Sequence, residues 1–269
     1  MTPSFHKLNH GQMAYQWSHD PCTYPLVVLH GLGDSAINTY APRFANTVLK
    51  DTPALFIDFP GFGEGSADIH YPASIEAMAT DVATLLGELH VHSTTVFAHS
   101  MGANVALILA EDNPQLVSQL VLAEPLLQRE QSVLAAGIAK HSEESFVARG
   151  YKMLVRATSL QAHRGDVAAM AFLPTLRMAN PTTLYRSAVS LLIAREPGFP
   201  TLLQNQKQHT TLLIGGKSEA STANIEIDGI RVEIVPNAGH FMMVEQADAT
   251  ACAILNLVNG RIMREFRNG

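Results

Sequence analysis

The sequence predicts an α/β fold, with a mostly parallel central sheet and helices on both of its faces. Two observations predict it: short apolar runs alternate with longer segments of helical periodicity, and the later short runs are β-branched or Leu-rich with little alternation. Such runs are typical of strands that are buried on both faces, as parallel strands are. The predicted strands are Met13–Trp17, Leu26–Leu29, Ala54–Ile57, Thr94–Phe97, Leu120–Ala123, Thr210–Ile214 and Arg231–Val235.

Helical patterns separate these runs. In the segment Ser74–Leu89, apolar residues recur at intervals of three and four, and Ser74 is a suitable N-cap. A second pattern covers Met101–Glu111 and stops before a proline, and a third covers Ala247–Val258. Because crossover helices connect parallel strands, this alternation supports the same fold class.

The stretch 125–200 breaks the alternation, since it has helical patterns and no convincing strand. We therefore expect a core domain of residues 1–124 and 201–269, and a helical cap of residues 125–200 inserted between two strands. The helical patterns are Glu143–Ala157 and Thr182–Ala194, and the prolines that punctuate the stretch are Pro174, Pro181, Pro197 and Pro200.

Composition narrows the class of protein. With 269 residues, 47% of them hydrophobic and 16% charged, the chain suits one large domain with a sizeable core. The formal net charge of -6, without a basic block, argues against nucleic acid or an anionic membrane as partner. No apolar run reaches the ~18 residues of a membrane span, and the N-terminus has no signal-like apolar region, so a cytoplasmic protein is expected. We expect Cys22 and Cys252 to be unpaired thiols.

Ser100 lies between an apolar strand and a helix, and small residues, Ala98 and Gly102, stand two positions before and after it. A sharp strand-to-helix turn requires small residues there, because the backbone is crowded at those positions. The helix N-terminus supplies backbone N–H groups and a positive dipole end, which can hold an oxyanion. Residues 216–220, centred on Ser218, fit the same pattern, but no apolar helix follows them.

Four segments occur in the order typical of the α/β-hydrolase family, which the sequence resembles over most of its length outside 125–200. The first three are His-Gly-Leu-Gly-Asp at 30–34, Asp-Phe-Pro-Gly-Phe-Gly-Glu-Gly-Ser at 58–66 and the Ser100 turn; the fourth is Pro-Asn-Ala-Gly-His-Phe at 236–241. One departure is Ala98, where the family usually has glycine. The resemblance implies a serine hydrolase that uses Ser100 as nucleophile and His240 as base, with no metal and no cofactor.

The resemblance also implies roles for two loops. In the family, the His-Gly loop completes the oxyanion hole, so the matching donors are the backbone N–H groups of Leu32 and Met101. Structural roles are expected for the side chains of His30 and Asp58. Of the 12 histidines, His240 is the expected base, because a neutral imidazole in a late loop can take the serine proton and return it. His99 adjoins the nucleophile, and its side chain is expected to point elsewhere.

The third member of a catalytic triad, a carboxylate that orients the imidazole, has two candidates. Glu124 directly follows an apolar strand and precedes Pro125, and some family members carry the acid at that strand end. Glu219 follows Gly216 by three positions, in the loop after the penultimate strand, which is the family's usual place. Asp228 is a reserve candidate, and the sequence leaves the choice open.

The expected reaction is acyl transfer to water, in which Ser100 attacks an ester or related carbonyl of a small-molecule substrate. The Leu, Ala, Met and Phe content of residues 125–200 suggests an apolar acyl group. Two other classes remain open: a ligand sensor or signalling protein with slow or vestigial turnover, which the unusual acid loop suggests, and a non-catalytic scaffold. The fold alone does not choose among them.

Overall fold

The structure, a computed structural model, describes residues 2–128, 132–218 and 229–268, the last nine of them by their helical backbone. Nine strands in these ranges form one sheet. They are β1 (Ser4–Leu8), β2 (Gly11–Trp17), β3 (Leu26–Leu29), β4 (Ala54–Asp58), β5 (Ser66–Ala67), β6 (Thr94–His99), β7 (Val117–Ala123), β8 (Thr210–Gly215) and β9 (Arg231–Val235).

The strand order is β1-β2-β4-β3-β6-β7-β8-β9, with β5 paired to β2 at the side. The pairs from β4 through β9 are all parallel, and the pairs that involve β2 are antiparallel. The predicted fold class, a mostly parallel sheet, is therefore confirmed. Strand β6 lies between β3 and β7 with all six residues buried, which places its end at the middle of the sheet edge.

All seven predicted strands are present, and β1 and β5 were not predicted. Strand β1 escaped prediction because only His6 of its five residues is buried, so it has no apolar face that a sequence pattern could reveal. Strand β5 has two residues, too few for any periodicity.

The helices flank the sheet on both sides. Two π-helical turns (Ala36–Tyr40 and Phe146–Gly150) and a 3-10 turn (Lys207–His209) accompany them. The helices are α1 (Ala41–Ala45), α2 (Ile75–Glu88), α3 (Met101–Asp112), α4 (Val133–Ala139), α5 (Glu143–Ser145), α6 (Tyr151–His163), α7 (Val167–Met178), α8 (Pro181–Leu192), α9 (Phe199–Asn205), α10 (Met242–Glu245) and α11 (Ala247–Asn268).

The predicted N-cap of α2 is present, since Ser74 Oγ accepts a hydrogen bond from Ala77 N at 3.1 Å. Two hydrophobic clusters pack on opposite faces of the sheet. One includes Val82 of α2 and Leu107 of α3, and the other includes Met242 of α10 and Ile254 of α11. The alternating strands and helices thus bury both faces of the sheet.

Helices α4 to α9, here named the β7–β8 helices, lie between β7 and β8 in the chain, and the described residues between those strands contain no strand. Pro174 was predicted to punctuate this stretch, and that is wrong, because it lies inside α7. The residue is exposed, and the opposite face of α7 buries Phe172 and Leu176. That packing outweighs the backbone hydrogen bond that proline removes. Helix α9 runs through the predicted boundary at 200, and the division into two domains stays a prediction.

Cys22 and Cys252 are both free. No helix within the described ranges combines the length and the apolar character that crossing a membrane requires.

Candidate active site

Ser100 forms a strained corner between β6 and α3. Its φ of 52° and ψ of -119° are unusual for a residue other than glycine. Its N–H donates to Ala123 O at 2.9 Å, which ties the corner to the neighbouring strand β7. A Cβ at position 102 would lie 2.6 Å from His30 O, so only glycine fits there. The small residue after the serine is therefore required by backbone crowding, as the sequence pattern predicts.

His240 reaches this corner from the loop after β9. Its Nε2 lies 3.2 Å from Ser100 Oγ, although the two residues are 140 positions apart. The Ser100 side chain is nearly buried, at 6% exposure. Serine hydroxyl and imidazole nitrogen are thus within reach of a hydrogen bond, which is the geometry that a nucleophile and its base need.

The loop that carries His240 is fixed by Glu245, a residue that the sequence analysis did not single out. Its carboxylate accepts hydrogen bonds from Gly239 N at 2.7 Å and from Phe241 N at 3.1 Å. These two N–H groups belong to the residues on either side of His240. The carboxylate therefore holds the backbone of the base without touching its ring.

Glu124 lies at the end of β7, on the other side of the imidazole. Its Oε2 is 3.6 Å from His240 Nδ1, and its Oε1 accepts a hydrogen bond from Gly215 N at 2.7 Å. The side chain is 5% exposed. The 3.6 Å separation fits an ion pair and exceeds hydrogen-bond length. The structure thus brings Ser100, His240 and Glu124 together; Glu219 and the reserve candidate Asp228 lie outside the described residues.

His99 does not hydrogen-bond to Ser100, yet it belongs to the site through His240. Its Nε2 donates to His240 O at 2.8 Å, and the two rings lie 4.7 Å apart between centroids. Since a carbonyl oxygen only accepts, the proton is on Nε2, and the buried Nδ1 has no hydrogen-bond partner in the described chain. Burial lowers the pKa of His99 to about 3, so the ring is neutral at physiological pH. Sequence reasoning missed this contact because the two residues are far apart in the chain.

The His99 pKa predicts a pH-dependent contribution to stability. As pH falls below the unfolded value of 6.5, the unfolded chain binds a proton that the buried ring does not, so stability is lost by up to about 1.4 kcal/mol per pH unit. We expect the stability difference between wild type and His99→Gln to shrink on acidification, because glutamine has no such proton to gain. Urea unfolding of both proteins between about pH 7 and about pH 5 measures it.

The control for this comparison is His163→Gln, since His163 is an exposed histidine on α6. The difference in free energy of unfolding between His163→Gln and wild type should change little over the same pH range. If the free energies of unfolding of wild type and His99→Gln changed in parallel with pH, the depressed pKa of His99 would be contradicted.

The loop with the expected oxyanion donor lies against Ser100. A Cβ at Gly31 would be 3.3 Å from Ser100 Cβ, so Leu32 follows directly on a residue in contact with the nucleophile. Met101 is the first residue of α3, and the N–H groups of a helix's first turn have no partner within the helix. Both expected donors therefore belong to backbone segments that adjoin residue Ser100.

The His30 side chain holds that loop. Its Nε2 accepts from Phe59 N at 3.1 Å, and its Nδ1 donates to Gly31 O at 2.7 Å. Burial lowers its pKa to about 4, so the ring remains neutral. Both ring nitrogens are occupied by backbone groups, which leaves neither for proton transfer to a substrate.

Helix α7 packs over the same loop. A Cβ at Gly33 would lie 3.0 Å from the tip of the Phe172 ring, and Phe172 packs against Phe241, the neighbour of His240, with ring centroids 5.5 Å apart. Phe172 is only 8% exposed. An apolar side chain from the β7–β8 helices thus bridges the two loops that flank the serine.

Comparison with known proteins decides the family. The model of the alpha/beta hydrolase family matches residues 26–253, which is most of the chain. The chain belongs to the alpha/beta hydrolase family. Esterases and lipases are among its relatives and structural neighbours, so the protein is a hydrolase of this family with a small-molecule substrate.

Three of the similar proteins show the range of this family. The sn-1-specific diacylglycerol lipase of Danio rerio is 25% identical over 82% of this chain and 74% of the lipase. The putative 2-succinyl-6-hydroxy-2,4-cyclohexadiene-1-carboxylate synthase of Bacillus subtilis (strain 168) is 27% identical over 82% of this chain and 85% of the synthase. An esterase from Exiguobacterium antarcticum superposes with a TM-score of 0.71 at 18% identity, over 93% of this chain and 96% of the esterase.

A cavity of about 370 Å³ lies in another part of the hydrolase, between α2 and α8. Its charged lining is paired: Arg186 binds Glu143 through two hydrogen bonds of 2.9 Å, and Arg195 lies 3.4 Å from Glu76. None of the residues around Ser100 lines it. This cavity is therefore separate from the candidate active site.

Asp58 anchors the second family loop. One carboxylate oxygen accepts from Ala36 N at 2.6 Å and Ile37 N at 3.1 Å, and the other accepts from Ser35 Oγ at 2.8 Å and Glu64 N at 3.0 Å. Burial raises its pKa to about 6, and these four donors oppose that rise. The carboxylate thus joins the loop after β3 to the loop after β4.

Asp58→Asn is expected to lower the free energy of unfolding by about 2–4 kcal/mol, because an amide offers only one acceptor oxygen and leaves buried donors unsatisfied. Urea denaturation at neutral pH measures the loss. Asp51→Asn, at an exposed position, is the matched control and should stay within about 0.5 kcal/mol of wild type. A similar stability for both variants would show that the network contributes little.

Proposed function

We propose that this hydrolase cleaves an ester or related carbonyl substrate through an acyl-enzyme on Ser100. The observation that carries the proposal is the 3.2 Å distance from Ser100 Oγ to His240 Nε2, with Glu124 beside the other ring nitrogen. His240 is the base and Glu124 the acid of the triad. Glu124 supports the imidazolium that forms when His240 takes the serine proton.

In the first half of the reaction, Ser100 Oγ attacks the carbonyl carbon while its proton passes to His240 Nε2. The carbonyl oxygen becomes an oxyanion that the N–H groups of Leu32 and Met101 stabilise, each worth about 3 kcal/mol of barrier. Collapse of this intermediate breaks the ester bond, and the proton on Nε2 moves to the departing alcohol oxygen. The acyl group is then bonded to Ser100.

In the second half, His240 takes a proton from water, which attacks the acyl carbon. The second tetrahedral intermediate releases the carboxylic acid, and Nε2 returns its proton to Ser100 Oγ. Residues 125–200 serve as a cap over this chemistry, and the burial of Phe172 between the two loops supports that role. The same apolar contact favours a substrate with an apolar acyl group.

A fluorophosphonate probe combined with a panel of p-nitrophenyl esters of increasing acyl length tests the proposal. Rapid labelling of Ser100 together with turnover of at least one ester is the expected result. Labelling without turnover would favour the ligand sensor, and the absence of labelling in the folded protein would favour the scaffold.

A further inference from the structure

The segment 146–178 forms a helical hairpin, named the α6–α7 hairpin. The hydroxyl of Tyr151 donates to Leu176 O at 2.9 Å and to Arg177 O at 3.2 Å. The start of α6 therefore lies beside the end of α7, so the two helices are antiparallel. The turn between them spans residues 164–166.

Exposed apolar side chains are concentrated on this hairpin. Among the described residues, 13 large hydrophobic side chains are exposed, and six of them belong to the hairpin, which is about one-eighth of the chain. Their exposed fractions run from 38% to 66%. They are Val147, Met153, Leu160, Val167, Met170 and Met178.

The apolar side chains point away from the sheet. Met153 and Leu160 are seven residues apart on α6, which is two helical turns and therefore one face. On α7, Val167 and Met178 share a face for the same reason, since eleven residues make about three turns. The buried Phe172 and Leu176 lie on the opposite face of α7, toward the active-site loops. The hairpin thus has one apolar side against the core and another toward solvent.

Basic residues surround the outward face. The hairpin contains five exposed basic residues and one acidic residue, Asp166, although the whole chain has a formal net charge of -6. The basic residues are three to thirteen positions apart, so the sequence shows no basic block, which is the ground on which an anionic membrane was argued against as partner. They are Arg149, Lys152, Arg156, Arg164 and Arg177.

We propose that the outward face of the α6–α7 hairpin binds an anionic lipid surface. Basic side chains contact acidic head groups, each worth about 1 kcal/mol near such a surface, while the apolar side chains enter the boundary between head groups and acyl chains. An anionic lipid surface would contact both the basic and the apolar side chains of the outward face, whereas nucleic acid would contact the basic side chains and leave the apolar ones in water. The proposal does not depend on the catalytic role of Ser100.

Co-sedimentation of the whole 269-residue chain with lipid vesicles tests it. Wild type should bind vesicles of phosphatidylcholine and phosphatidylglycerol at least about tenfold more tightly than vesicles of phosphatidylcholine alone, and added salt should weaken that binding. Two double variants probe the two halves of the surface. Lys152→Glu with Arg156→Glu, and Met153→Ser with Leu160→Ser, should each bind the anionic vesicles at least about tenfold more weakly.

The matched control is Val48→Ser with Lys50→Glu, an exposed apolar and basic pair outside the hairpin. It should bind as wild type does. Thermal unfolding shows whether each variant is folded. If a double variant is misfolded, its two substitutions are tested one at a time. Equal binding to both kinds of vesicle, or hairpin variants that bind like the control, would overturn the proposal. So would a wild-type dimer that the hairpin variants convert to monomer, because a second copy would then occupy the face.

Discussion

Ser100→Ala is expected to lower kcat/KM for ester hydrolysis by about 10⁴- to 10⁶-fold and to abolish labelling by the fluorophosphonate probe. In the proposed mechanism the acyl-enzyme forms on the hydroxyl that lies 3.2 Å from His240 Nε2, and alanine removes it without adding bulk to the corner. Initial rates with the best p-nitrophenyl ester measure the loss. Thermal unfolding should show a folded protein, because Ser100 N, which anchors the corner, is kept.

Ser218→Ala is the matched control for this experiment, since Ser218 occupies the second small-x-Ser-x-small pattern in the chain. It should retain normal rates and normal labelling. A Ser100→Ala protein that still hydrolyses the ester at wild-type rate would rule out Ser100 as the nucleophile.

Glu124→Gln is expected to lower kcat by about 10²- to 10⁴-fold with little change in KM, because it removes the charge that supports the His240 imidazolium. Glutamine keeps the shape of the side chain and an oxygen that can accept from Gly215 N, so the end of β7 should stay in place. Steady-state kinetics with separate kcat and KM values measure the effect. A rise in KM with an unchanged kcat would indicate a role for Glu124 in substrate binding instead.

Glu219→Gln is the control variant for this comparison, and it should retain most of the wild-type kcat. The opposite outcome, a loss in Glu219→Gln with a normal Glu124→Gln, would assign the acid to the loop after β8. A loss of similar size in both would mean that each carboxylate contributes to the site.

The sheet and the two residues of the Ser100–His240 contact were predictable because their signals are local. Strand β3 is continuously apolar, β8 contains three consecutive apolar residues, and Ser100 lies in a turn whose crowding imposes small neighbours. Which carboxylate lies beside His240 was not predictable from one sequence, since both Glu124 and Glu219 follow apolar strands. The structure brings Glu124 within 3.6 Å of His240, a distance that depends on how β7 and β8 pair.

The contacts of His99 and Glu245 with the His240 loop were not predictable, because they join side chains to backbone atoms. A carbonyl or N–H group is present in every residue, so no residue pattern marks the partner. The exposed face of the α6–α7 hairpin was hidden for a related reason. Its exposed apolar and basic residues are scattered along the chain among buried ones, and only helical geometry gathers them on one outward face.

Gly239 and Glu245 constrain each other's evolution. A Cβ at position 239 would lie 3.0 Å from one carboxylate oxygen of Glu245 and 3.1 Å from the other, inside the space that the two hydrogen bonds to the loop need. Any larger residue at 239 therefore pushes the carboxylate away from the loop, and a shorter acid at 245 releases it. We expect these two positions, six residues apart, to change only together among close homologues.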